Sequence, residues 1–114
     1  MTLRSMEPNP VGPSALDLQE AASTFGLLAA TVRLHILWLL SEGARDVSTL
    51  AEETEQSVAT VSHHLSKLKL AGLVRDSRHG KRRVYVVTDS KVVDMVRGSL
   101  VAHMGQPVVA RLAR

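Results

Sequence analysis

Gln56-Ser57-Val58-Ala59-Thr60-Val61-Ser62-His63-His64-Leu65-Ser66-Lys67-Leu68-Lys69-Leu70-Ala71-Gly72 contains two lysines, two histidines and no carboxylate. Val58, Val61, Leu65 and Leu68 recur at helical spacing and mark an inward side for a helix over about 58–71. At about 100° per residue, Ala59, Thr60, His63, Ser66 and Lys67 then face away, and all are polar or small. A helix meant only for solvent usually carries Glu or Asp on that side. Gly72 stops it. Upstream, Asp46 is placed to cap a short helix over 47–54, with Val47, Leu50 and Ala51 inward. Glu55-Gln56-Ser57 leaves a three-residue break between the two helices. Downstream the period becomes that of strands over 73–78 and 82–88, joined at His79-Gly80-Lys81, where Gly80 supplies a positive φ.

Two short helices across a tight turn, followed by a basic hairpin, predict a winged helix-turn-helix. The remaining chain fits that frame. Ser14-Ala15-Leu16-Asp17 has capping-box spacing and opens a first helix. Thr31 is expected to cap a second, in which Leu34, Ile36, Leu37, Trp38 and Leu40 crowd most faces, as in a central core helix. Ser41-Glu42-Gly43 ends it, with Gly43 suited to the C′ position. Asp89 or Ser90 caps a fifth helix to about Met104. The expected fold is mainly α with a small β-hairpin, five helices and a two-stranded wing, working as a homodimer. Residues 14–104 form the domain. Residues 1–13, with Pro8, Pro10 and Pro13, are expected to be a flexible arm, and 105–114 a short tail.

At 114 residues the chain is one domain, and its three aromatic residues, Phe25, Trp38 and Tyr85, leave the core to aliphatic side chains. Without cysteine there are no disulfides, thiolate nucleophiles or thiolate metal sites. No apolar run approaches the ~18 residues of a membrane span, and no apolar h-region marks a secretory signal, so a soluble, cytoplasmic chain is expected. The net charge of +3 conceals an asymmetry: residues 1–55 sum to −5 and residues 56–114 to +8. Between Lys67 and Arg83 seven basic residues face Asp76 alone. One strongly basic part suggests a polyanion on one face.

The major groove of duplex DNA admits one α-helix, and the 58–71 helix is suited to enter it. Gln56, Ser57, Thr60, Ser62, His63, His64 and Lys67 are the expected contacts there. Arg78, Lys81, Arg82 and Arg83 at the hairpin are expected to neutralise phosphates. Leu16 and Leu18 in the first helix, with Val92, Val96, Leu100 and Met104 in the fifth, form apolar stripes larger than one small domain covers. They are the expected dimer interface.

Several motifs resemble the ArsR/SmtB family of bacterial winged-helix regulators. Leu28 to Leu37 resembles the start of that family's core helix. Val47-Ser48-Thr49-Leu50-Ala51-Glu52 resembles its supporting helix, and Ala59 to Leu68 its recognition helix. Ala71-Gly72-Leu73-Val74, through Gly80-Lys81-Arg82 to Tyr85, resembles its wing. The resemblance runs from about residue 16 to 104. It implies a homodimer paired through the first and fifth helices, a partly palindromic operator, and a bound effector that changes DNA affinity. Two departures stand out. The family's Asp-Pro-Thr before Arg33 is here Ala30-Thr31-Val32, and the frequent Gly of the helix-turn-helix turn is here Glu55.

The family often binds a metal, through thiolates near the supporting helix or through His and carboxylates on the fifth. The first route is closed by the lack of Cys. On the second, Lys91 and Ala102 stand where the family's histidines would be, and Gln106, three after His103, is a poor ligand. Asp89, Asp94 and His103 remain as weak candidates, with nickel, zinc or cobalt the ions such donors would suit. His35 reads as a core or flank histidine. Three readings stay open: a degenerate sensor, a regulator with another effector, or one requiring a second regulatory protein. A different class of function is a protein-interaction module whose basic hairpin meets an acidic partner. An enzyme is not expected, since Ser62, His63 and His64 are sequence neighbours that diverge on a helix.

Overall fold

The structure, a computed structural model, describes residues 11–105. Most of the expected arm and tail lie outside the described residues. The elements in order are α1 (Ala15–Leu28), α2 (Thr31–Ser41), β1 (Arg45–Asp46), α3 (Val47–Thr54), α4 (Val58–Leu70), β2 (Val74–His79), β3 (Arg82–Val87) and α5 (Ser90–His103). Among the described residues no single helix is long and apolar enough to cross a membrane.

Local chemistry sets most boundaries. Ser14 and Asp17 close a reciprocal capping box, Asp17 N–H donating to Ser14 Oγ at 3.0 Å and Ser14 N–H to Asp17 Oδ2 at 2.9 Å. Asp46, Ser57 and Asp89 cap α3, α4 and α5 by accepting backbone N–H groups of their first turns. The second helix differs from expectation. Ala30 occupies its cap without a side-chain hydrogen bond, and Thr31 is the first helical residue. Arg33 lies one turn further in and reaches back to α1, which meets α2 at a 92° bend.

Ile36, Leu37, Leu39 and Leu40 of α2 are buried and meet Leu50 of α3, Val61, Leu65 and Leu68 of α4, and Val92 and Val96 of α5. The single core is built round α2, as its apolar faces require. The sheet has three antiparallel strands in the order β1-β3-β2, one more than expected. Arg45 pairs with Tyr85 and Asp46 with Val84, so β1 fastens the root of the wing to the start of α3. The β2–β3 register places His79 opposite Arg82, leaving Gly80 and Lys81 as a two-residue loop, with Gly80 at φ 67°.

Candidate nucleic-acid interface

Ser57 and Glu55 aim α4. The Ser57 hydroxyl accepts from Thr60 N–H at 3.0 Å and donates to Thr60 Oγ1 at 2.9 Å, so it serves the helix start first. Glu55 takes the left-handed conformation, φ 57° and ψ 38°, where its family resemblance suggested a glycine. Its N–H meets the Ala51 and Glu52 carbonyls and closes α3. Val61, Leu65 and Leu68 turn inward, whereas Val58, expected with them, remains 52% exposed at the first turn. Ala59, His63, Ser66 and Lys67 are exposed, and Thr60, Ser62 and His64 are half-buried. The outward side of α4 is therefore free of carboxylates, as its sequence requires.

His63 and His64 stand edge to face, ring centroids 5.7 Å apart. Burial, then the charges of Arg33, His63 and Lys67, hold the His64 pKa below its ordinary 6.5. Arg33 Nη1 lies 3.2 Å from His64 Nδ1. This partner was absent from the residues expected at the site. The one available signal was its placement as one of three basic residues in the acidic half of the chain.

The wing cations fall into two groups. Arg82 Nε donates to Asp46 Oδ2 at 2.7 Å, and Arg83 pairs with Asp76, which also holds Lys69 Nζ at 2.7 Å. The Asp76 side chain is only 5% exposed beneath them, and hydrogen bonds from Lys69 and Arg83 hold its pKa down. Thr49, through its hydroxyl and its N–H, and then Arg82 bring Asp46 down to about 2. Arg78 and Lys81 are exposed at the tip and enter no ion pair among the described residues. The four expected phosphate contacts thus divide: Arg82 and Arg83 already have carboxylate partners, and Arg78 and Lys81 do not.

The apolar stripes also divide. Leu16 and Leu18 on α1 and Met104 at the end of α5 are exposed, and Leu100 is half-buried. Val92 and Val96, expected at a dimer interface, are 8% and 2% exposed within a single protomer, because that side of α5 packs onto α2. The uncovered apolar side of α5 instead carries Met95 and Val101, and Phe25 of α1 is 57% exposed beside it. Phe25, Leu34, Met95 and Ser99 line an apolar groove between the two helices.

The three weak metal candidates do not converge. Asp89 uses its carboxylate to cap α5, and His103 ends the same helix. Fourteen residues at about 1.5 Å each put them ~21 Å apart. Among the described residues no three His or carboxylate side chains of one protomer gather closely enough to hold an ion.

The family model for "Bacterial regulatory protein, arsR family" matches residues 31–76. The HTH-type transcriptional regulator NmtR of Mycobacterium tuberculosis is 41% identical over 88 residues, covering 74% of this chain and 73% of that protein. The cadmium resistance transcriptional regulatory protein CadC homolog of Staphylococcus aureus is 36% identical over 78 residues, covering 68% of this chain and 64% of that protein. The solution structure of the homodimeric winged helix-turn-helix DNA-binding domain Mb0332 of Mycobacterium bovis, described as a possible ArsR-family regulator, is 33% identical. It covers 82% of this chain and 89% of that one at a TM-score of 0.69.

Proposed function

Since this chain belongs to the ArsR/SmtB family of bacterial transcriptional regulators, a DNA-binding and non-enzymatic family, we propose that two copies seat their α4 helices in successive major grooves of a partly palindromic operator. The observation that carries this reading is the exposed, carboxylate-free side of α4 together with the exposed wing-tip cations Arg78 and Lys81, which enter no ion pair among the described residues. His63, Ser66 and Lys67 would meet the groove, with Thr60, Ser62 and His64 at its margin. Arg78 and Lys81 would meet phosphates, and the α4 start at Gln56 and Ser57 the flanking backbone. A two-fold axis through α1 and α5 would set the half-sites about one helical turn apart. Such a protein works in the cytoplasm.

Control by a divalent metal such as nickel, zinc or cobalt would need donors from both protomers, because among the described residues one protomer brings no three together. The cadmium-resistance name of one relative supports testing it. Calorimetry on the chelator-stripped protein with nickel and zinc makes that test, and a stoichiometric isotherm would establish a shared site. The DNA reading is tested by salt-titrated binding to fragments of the gene's own promoter and to random duplex. Tighter binding to the promoter by a species that sediments as a dimer supports it. A monomer with no preference removes it.

A further inference from the structure

Arg33 joins three helices through one guanidinium. From α2 its Nε donates to the Leu27 carbonyl of α1 at 2.6 Å, while its Nη1 lies 3.2 Å from Nδ1 of His64 in α4. Leu27 is in the last turn of α1, where carbonyls have no partner within the helix, and α1 brings no basic residue of its own to that turn. The first helix and the helix with the carboxylate-free side are thus tied at one point.

The pairing sets the state of the imidazole. A guanidinium only donates, so Nδ1 of His64 must accept and carries no proton. A neutral ring then holds its proton on Nε2. Protonating the ring would aim an Nδ1–H at the Arg33 cation, in keeping with the lowered His64 pKa. Nε2, on the opposite edge of the ring, has no hydrogen-bond partner among the described residues.

We infer that Arg33 is a positioning residue for DNA recognition: it locks His64 as an Nε2–H donor, so that α4 meets a hydrogen-bond acceptor on the duplex. The inference rests on the DNA-binding reading above. The fitting acceptors are purine N7, guanine O6, thymine O4 or a phosphate oxygen, whereas the amino groups of cytosine and adenine would be refused. Arg33 touches no nucleotide in this scheme and acts wholly through His64.

The test uses the full chain as wild type, Arg33→Met, His64→Ala and the double variant. Each selects sequences from a random duplex library, and each is titrated onto the duplex that the wild type selects. Arg33→Met and His64→Ala should each weaken binding roughly five- to tenfold, and the double variant should be no weaker than His64→Ala alone. Blurring of the same motif position in both variants identifies a base acceptor. An equal loss on every sequence identifies a phosphate oxygen. A loss from Arg33→Met that persists undiminished in the His64→Ala background overturns the inference, as does no loss at all. Should Arg33→Met fail to fold, nitrogen-15 NMR of the wild-type imidazoles decides. The Nε2–H form at neutral pH supports the lock, and the Nδ1–H form or an even mixture rejects it. A wild type that selects no motif defeats the DNA-binding reading itself, and this inference with it.

Discussion

Glu55 sits at φ 57° with a Cβ, in a conformation that costs most L-residues about 1–2 kcal/mol. The turn between α3 and α4 demands it, because the N–H must double back to the Ala51 and Glu52 carbonyls. Glu55→Gly should therefore stabilise the chain by about 0.5–1 kcal/mol, part of the relief being offset by glycine's greater freedom when unfolded. A urea midpoint that rises at constant slope would show this. His64 makes a second demand on its neighbours. Its protonated form is disfavoured in the folded chain, so its contribution to stability is intact above the unfolded value of 6.5 and declines as pH falls through 6.5 toward the lower folded value. The melting temperature should drop from about pH 7.5 to about pH 5.5, and His64→Gln should flatten that drop in a calorimetric pH series.

The wing is an element whose charges are partly committed before any DNA arrives. Arg82 is held by Asp46 and Arg83 by Asp76, leaving Arg78 and Lys81 at the tip. Replacing Arg78 and Lys81 together with Ala should reduce the steepness of log K against log salt by about 2 per protomer, about 4 for the dimer, on random duplex. Arg82→Ala should weaken binding while changing that steepness by less than about 1 per protomer, since it exposes the Asp46 carboxylate near the phosphates. Equal changes in slope per cation would show that the ion pairs give way on binding. Three of the helices were legible because their signals are local: Ser14, Asp46 and Asp89 each stand immediately before the first turn they cap. β1 was not legible. Arg45 and Asp46 form a strand only because Tyr85 and Val84 lie beside them, and no periodicity exists in two residues. The Arg33–His64 link was hidden for the same reason, its partners lying 31 residues apart.

At the scale of the molecule, the periodicity of α5 revealed that it is apolar but not which partner covers each side. Val92 and Val96 go to the protomer's own core, and Met95 and Val101 are left outside. The two sides should respond differently to charge. Phe25→Glu or Val101→Glu should retain helical circular dichroism, sediment as a monomer and bind the operator about 100-fold less tightly, through loss of the second half-site. Val96→Glu should instead cost upward of roughly 3 kcal/mol by burying an unpaired charge. A dimer that survives both exposed substitutions would place the two-fold axis elsewhere.

In α1 only Leu28 is buried, at the last of fourteen residues. A helix of that length is marginal by itself in water, and its own protomer shelters little of it. In the proposed dimer the second copy covers α1 and supplies that order, making assembly part of folding and the heat-denaturation midpoint a function of how much protein is in the tube. Dilution alone should begin to unravel this molecule, from its N-terminal side inward.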